Sequence, residues 1–134
     1  MTASLHQIQG LLADHGYDVT EVNADVLKIR EVESGVSLSA VLANDILFLS
    51  LTCVTAPESA ITPALMRKML DSNNGISTSH FQLYPAATGQ VAITLNNFCK
   101  LQDMGPEDED DILSCVHFLL IDVIAARGVV GNIS

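Results

Sequence analysis

The stretch that decides the fold runs from Gly105 to Gly128 and reads GPEDEDDILSCVHFLLIDVIAARG. Five consecutive acids follow Pro106, and the residues from Ile112 to Ala126 are then apolar at most positions. Proline at the first helical position and acids in the first turn suit the positive end of a helix dipole, and Arg127 followed by glycine supplies a cation and a stop. The pattern therefore predicts a long helix over this stretch.

The predicted helix has two apolar sides. One stripe at helical spacing contains Ile112, Leu113, Val116, Leu119, Leu120 and Val123, and a second contains Cys115, Phe118, Ile121 and Ala125. A helix of this kind is either sandwiched inside its own domain or shared with a partner. The feature is typical of an interaction module rather than of an enzyme.

Length and composition indicate one folded domain over residues 1–134. Hydrophobic residues make up 49% of the chain and charged residues 16%, which excludes a disordered chain. The sequence contains no internal repeat, low-complexity tract or interior linker. We expect the last residues, 129–134, to form a flexible tail.

The net charge of −10, from sixteen acids and six bases, limits the kinds of partner that the protein can bind. Such a chain repels phosphate backbones, and its scattered bases form no patch for anionic lipid. We therefore expect no nucleic acid and no membrane as partner. The acidity supports solubility and favours a protein client with basic residues.

The sequence predicts a cytoplasmic protein. Its first residues, MTASLHQ, lack the basic region and the apolar core of a signal peptide. We also expect no apolar run to approach a membrane span, because the run from Ile112 to Ala126 is short and is interrupted by His117 and Asp122.

Periodicity predicts one helix and three strands in the first part of the chain. The helix covers Leu5–His15, with Ser4 as its cap and Gly16 as its end. The strands are Val26–Arg30, Val36–Ala43 and Ile46–Val54, and residues 19–22 could add a short extended piece before them. The last two strands are joined by Asn44-Asp45, residues that tolerate a positive φ, so we expect a tight hairpin there.

The second part of the chain is predicted to contain a helix, two strands and the long helix. Thr62-Pro63 gives an N-cap and a proline at the first helical position, and Asn73-Asn74-Gly75 ends that helix. The two strands are His80–Tyr84 and Gln90–Asn97, joined by a turn at residues 85–89. The resulting order α-β-β-β-α-β-β-α predicts an α+β domain, a curved and largely antiparallel sheet with its helices mainly on one face.

No combination of residues in the sequence makes a recognisable catalytic or metal site. His6 and His15 are too far apart on one helix to share a metal, and the acidic run lacks the spacing of a calcium loop. Neither a phosphate-binding glycine loop nor a nucleophile elbow is present. The strongest alternative is a small-molecule-sensing or catalytic site that uses Ser77, Ser79 and His80. We predict no enzyme activity, no metal and no cofactor.

The three cysteines, Cys53, Cys99 and Cys115, have separations that match no zinc or redox motif. Each has apolar neighbours along the chain. We therefore interpret them as small buried hydrophobic residues.

The element order resembles the class I type III secretion chaperone-like fold, a group that also includes the YbjN family of bacterial regulators and YjfI-type proteins. The resemblance covers residues 5–126. It is carried by the opening helix Leu5–Leu12, the hairpin Val36–Val54, the helix end Met66–Asn74, the hairpin His80–Asn97 and the acidic-to-apolar helix that closes the chain. Met69–Phe81 is the segment with the closest local similarity.

The resemblance implies a small acidic cytoplasmic homodimer without enzymatic activity, which binds an extended segment of a client protein. Apolar surface on the middle and last helices also favours a homodimer. We predict that the dimer or partner interface includes Met66, Met69, Phe118 and Ile121. The client is not identified by the sequence, nor is a secretion chaperone distinguished from a regulator.

Overall fold

A computed structural model gives the structure of residues 4–131. In chain order the described elements are α1 (Leu5–Asp14), β1 (Tyr17–Asn23), β2 (Val26–Glu31), β3 (Ser37–Ala43), β4 (Ile46–Pro57), a 3-10 helix (Glu58–Ala60), α2 (Pro63–Leu70), β5 (His80–Pro85), β6 (Gln90–Lys100) and α3 (Pro106–Val130). The strands form one sheet in the order β1-β2-β3-β4-β6-β5. Pairing is antiparallel between β1 and β2, β2 and β3, β3 and β4, and β5 and β6. The predicted α+β class is confirmed.

The first strand is longer than the sequence pattern indicated. The predicted short piece at residues 19–22 is the strand β1, which pairs with β2 from Tyr17 to Asn23. Its residues are mostly exposed, and only Tyr17 and Val19 are half-buried. A strand at the edge of a sheet needs few alternating apolar residues, so a search for alternating hydrophobicity detects only part of such a strand.

The described residues pack as two compact units. The first unit contains residues 4–50 and 97–117, and the second contains residues 51–96 and 118–131. The prediction of a single domain stays a prediction.

In the first unit, the strands bury alternate apolar residues and the helices bury apolar residues at helical spacing. The hydroxyl of Ser4 accepts the backbone N–H of Gln7 at 3.2 Å, and this cap begins α1 as predicted. The buried residues here include Leu5, Ile8, Leu11 and Leu12 of α1, Leu27 and Ile29 of β2, Leu38 and Ala40 of β3, Leu47 and Leu49 of β4, and Ile112 and Val116 of α3. One face of each inner strand is therefore core and the other is open to solvent.

The predicted hairpin between β3 and β4 is present. Asn44 and Asp45 have φ angles of 53° and 62°, and the flanking residues Ala43 and Ile46 are cross-strand partners. Two consecutive positive φ values define a type I′ turn, whose twist matches that of the strands.

The second unit has its own apolar cluster. Leu65 and Met69 of α2 are buried with Ile93 of β6 and Val130 of α3. Thr62 caps α2 by accepting the N–H of Leu65 at 3.1 Å, as its sequence predicted. Because Met69 is only 5% exposed, it belongs to this core. The structure does not place it on the surface that the predicted interface requires.

Helix α3 extends further than predicted. It continues past Arg127 to Val130, and Val130 is buried, so the expected flexible tail does not begin at Val129. Glycine at position 128 does not end the helix because the apolar residues after it have a core to enter. Residues 132–134, also predicted as tail, lie outside the described residues.

The length of α3 also corrects the expectation that no segment approaches a membrane span. Within residues 4–131, Pro106–Val130 is long and apolar enough by length and composition to cross a membrane, with a mean hydropathy of 1.9 over its most apolar window. The core helix of a soluble protein meets the same criterion, and 39% of that window is buried. The absence of a membrane partner stays a prediction.

Candidate partner-binding surface

Strand β5 lies at one end of the sheet order. Within the described chain its strand neighbour is β6, and the pairing runs from His80 opposite Asn96 to Pro85 opposite Val91. Most residues of β5 are exposed. Its outer edge therefore offers the backbone groups that an added strand would pair with.

An apolar groove of about 570 Å³ lies beside this strand. Its lining residues come from the 3-10 helix and the residue after it, from α2, and from β5, β6 and the turn between them: Glu58, Ile61, Met66, Leu83, Tyr84, Pro85, Ala86, Thr88, Gly89, Gln90 and Val91. Leu83 and Tyr84 are exposed, by 42% and 45%. Glu58 is the one charged residue in the lining, and it is acidic.

The groove is built on packed structure. The backbone N–H of Glu58 donates to the carbonyl of Gly89 at 2.9 Å, which fastens the 3-10 helix to the β5–β6 turn. Ile61, a lining residue, packs against the buried cluster of Leu65, Met69, Ile93 and Val130. A site fixed by such contacts is largely formed before a ligand arrives.

A second apolar surface of the same unit lies on α3. Phe118, Ile121 and Ile124 are spaced three residues apart and are all exposed, with Ile124 75% exposed. We call these three residues the α3 stripe. Of the predicted interface residues, Phe118 and Ile121 lie on the stripe and Met66 lines the groove. Their part in an interface remains a prediction. The sequence reading missed Ile124, although its spacing from Ile121 is a signal that could have found it.

Two of the three residues proposed for a catalytic alternative, Ser77 and Ser79, belong to a structural clamp. The carboxylate of Asp122, which is 1% exposed, accepts the backbone N–H and the hydroxyl of Ser77, each at 2.9 Å, and the N–H of Ser79 at 3.2 Å. Burial alone would raise the pKa of Asp122, but these hydrogen bonds outweigh it and lower the pKa. The carboxylate stays ionised and is too weak a base to activate the serine.

The loop held by this clamp comes very close to α3. Gly75 has a φ of +86°, and a Cβ added there would lie 3.3 Å from the Cβ of Ala125. His80, the third residue of the proposed catalytic alternative, is exposed on β5. The hydroxyl of Ser77 donates its hydrogen bond to Asp122. The arrangement gives no support to a nucleophile and base.

The acidic run at the start of α3 contains a similar clamp. Asp108 is buried, and its Oδ2 accepts the backbone N–H groups of Gln102, Asp103 and Met104 at 2.7, 3.0 and 2.8 Å. Burial would raise the pKa of Asp108, and the three N–H groups together lower it. One of the five acids therefore orders the preceding loop, a role that the helix-dipole interpretation did not include.

The cysteines and histidines are placed as follows. Cys99 is buried, but Cys53 and Cys115 are only half-buried, so the interpretation of all three as buried residues is wrong for two of them. His15 contacts the carbonyl of Leu11 through Nδ1 at 2.9 Å. Across residues 4–131 no group of three or more His, Cys, Asp or Glu side chains is arranged to hold a metal ion.

Known structures share this fold. A TM-score of 0.67 relates the chain to the crystal structure of YbjN from E. coli, a proposed transcription regulator, at 14% identity over 96% of this chain and 94% of that chain. A second similar chain belongs to the heterodimeric complex ExoU–SpcU from the type III secretion system of Pseudomonas aeruginosa, with a TM-score of 0.55 and 17% identity over 91% and 94% of the two chains.

These similarities define the class of fold. The chain has the α+β fold of the YbjN and type III secretion chaperone group, as the element order predicted. No family model matches the sequence, and no curated protein is detectably similar to it. At such low identity the shared property is the fold, and function has to be argued from the site.

Proposed function

We propose that this protein is a non-enzymatic, cytoplasmic protein-binding module, chaperone-like or regulatory, which acts as a homodimer and binds an extended segment of a client protein. The observation that carries the proposal is the exposed edge of β5 beside an apolar groove. A client strand added to β5 would gain backbone hydrogen bonds, and alternate side chains would enter the groove for selectivity.

The charges of the site favour a client with basic residues. Glu58 is the charged residue of the groove lining, and the chain as a whole has a net charge of −10. Electrostatic attraction would speed association and weaken with added salt, while the apolar contacts are not screened. Binding should therefore fall with ionic strength but persist at high salt.

A peptide-display selection on the purified protein tests the client site. We expect it to enrich extended peptides that combine alternating apolar residues with lysine or arginine. Leu83→Asp should weaken an enriched peptide at least about tenfold, since it places a charge in the apolar groove. Val22→Asp is the matched control, because Val22 is an exposed apolar residue of β1, at the other end of the sheet order.

Two results would contradict this site. One is the absence of any enriched peptide. The other is an equal loss of affinity in Leu83→Asp and Val22→Asp, which would separate peptide binding from the groove. A thermal shift of the wild type with a metabolite panel, without peptide binding, would instead favour the small-molecule alternative.

The α3 stripe supports the homodimer. Exposed Phe118, Ile121 and Ile124 form one apolar helix surface, and an apolar surface paired with its own copy is the simplest closed arrangement. Sedimentation at micromolar concentration should give a dimer for the wild type and a monomer for Ile121→Glu. Val22→Glu, at an exposed valine on β1, serves as control and should stay dimeric. A monomeric wild type would end this part of the proposal.

A further inference from the structure

Two of the three cysteines meet inside the first unit. Cys99 lies on β6 and Cys115 on α3, and the two thiols are close enough for each to shift the pKa of the other. The thiol of Cys115 also donates to the carbonyl of Phe98, the residue just before Cys99, at an S···O distance of 3.6 Å. The S···O contact therefore holds Cys115 beside the residue that precedes Cys99 on β6.

The two thiols differ in access to solvent. Cys99 is buried and Cys115 is half-buried. A reagent in solution can therefore reach Cys115 more readily than Cys99. This is the arrangement of an attacking thiol and a resolving thiol.

The electrostatics of the pair give the same assignment. Interaction with the Cys99 thiol lowers the pKa of Cys115, although burial and the carboxylate of Asp111 oppose this shift. The same interaction, with burial and nearby acids, raises the pKa of Cys99. The thiolate is the reactive form, so Cys115 is the more reactive partner.

We infer that Cys99 and Cys115 form a reversible redox site, which closes to an intramolecular disulfide between β6 and α3 when a low-molecular-weight disulfide acts as oxidant. This inference does not depend on the proposed client-binding function. The site would make the contact between the sheet and α3 in the first unit responsive to the thiol–disulfide balance of the surroundings.

The reaction balances with oxidised glutathione as the oxidant. The Cys115 thiolate attacks one glutathione sulfur, the glutathione S–S bond breaks, and one glutathione thiolate leaves and takes up a proton. The Cys99 thiol then loses its proton and attacks the Cys115 sulfur, which releases the second glutathione. The protein loses two electrons and two protons, and the oxidant becomes two molecules of reduced glutathione.

Cys53 provides an internal control. It lies in the second unit, where burial raises the pKa of its thiol to about 11 despite opposing effects of Arg127 and the backbone at Leu95. A thiol with this pKa is almost entirely protonated at neutral pH. Cys53 should therefore keep its free thiol while the other two cysteines react.

The test is incubation of the native protein with oxidised glutathione, followed by thiol counting and peptide mapping by mass spectrometry. We expect the wild type and Cys53→Ser to yield one peptide pair linked through Cys99 and Cys115, with the mass of two hydrogens lost. In Cys99→Ser the reaction should stop at a glutathione adduct on Cys115. Reduced glutathione in excess should restore both thiols.

A second probe needs no oxidation. Phenylarsine oxide bridges two neighbouring thiols, so the reduced wild type should gain one adduct that covers Cys99 and Cys115. If the wild type keeps all three thiols in oxidised glutathione, stops at a mixed disulfide, or is linked through Cys53, the inference is wrong. A linkage found only between separate chains would overturn it equally.

Discussion

Asp108 and Asp122 belong to the same helix, and each is a buried carboxylate that holds a loop by its backbone N–H groups. The loops differ in their distance along the chain. Asp108 binds residues four to six positions before it, whereas Asp122 binds Ser77 and Ser79, 45 and 43 positions away. The first clamp orders a helix start, and the second fastens a remote loop to the helix.

The comparison teaches that the density of acids in a sequence does not indicate which acid matters. Asp108 sits inside a run of five acids, and within residues 4–131 the other four accept no such set of backbone N–H groups. Asp122 is a lone acid in an apolar segment, where it first looks like an interruption. A buried carboxylate that accepts several N–H groups is worth more to stability than exposed acids of the same charge.

The largest effect is expected from Asp122→Ala. The change removes the hydrogen bonds to Ser77 and Ser79 and frees the loop from α3, so the free energy of unfolding should fall by about 3 kcal/mol. The midpoint of urea denaturation measures this loss. Asp110→Ala, an exposed acid on the same helix, is the control and should change little. Equal midpoints for the two variants would refute the clamp.

A smaller loss, about 1.5 kcal/mol, is expected from Asp108→Ala. The three N–H groups that it leaves belong to a loop whose residues Gln102 and Asp103 are exposed, so water can partly replace the carboxylate. Hydrogen exchange of these three amides should speed up while amides near Ser77 keep their protection. If Asp108→Ala proves more damaging than Asp122→Ala, the contrast between local and remote clamps is reversed.

The third prediction concerns acid. The pKa values of Asp108 and Asp122 are lowered in the folded state, so the unfolded state binds more protons and the stability that they add is present above about pH 4. It is lost as the pH falls through the folded-state values. Between roughly pH 5 and pH 3 the unfolding free energy of the wild type should fall more steeply than that of the Asp108→Asn, Asp122→Asn double variant. Parallel curves would mean that neither group is shifted.

The smallest effect is expected from the exposed acids. Neutralising Glu107, Asp110 and Asp111 together removes their solvent-screened interaction with the helix dipole and the effect of Asp111 on the two thiols. The loss of unfolding free energy should therefore stay below about 1 kcal/mol. Affinity for an enriched peptide should not change. If this triple change abolished peptide binding and left the melting temperature alone, the acidic run would be a recognition site.

Sequence patterns predicted most of the fold because its signals are local. The caps at Ser4 and Thr62 and the turn at Asn44-Asp45 all depend on residues within a few positions. The predicted extent of strand β1 was too short because an edge strand needs few apolar residues. The end of α3 was misplaced because Val130 continues the helix into a core that a local pattern does not reveal.

The candidate site was predictable only in part. Helical spacing selected Phe118 and Ile121, which are exposed, but it also selected Met69, which is buried. Periodicity alone therefore cannot separate core from surface, and the interface stays a prediction. The groove brings together Glu58, Met66 and Leu83 from three different elements, and no sequence rule joins them. The Asp122 clamp was missed for the same reason.

The type I′ turn at Asn44-Asp45 has a consequence for the order of folding events. Two residues close the β3–β4 hairpin, and hairpins of this kind form within microseconds, whereas the contact between Ser77 and Asp122 closes a loop of 45 residues. The hairpin can therefore act as an early nucleus, and the remote clamp forms late. Contacts that form after the transition state mainly slow unfolding. The turn should then govern how fast the native state is reached, and Asp122 how long it lasts.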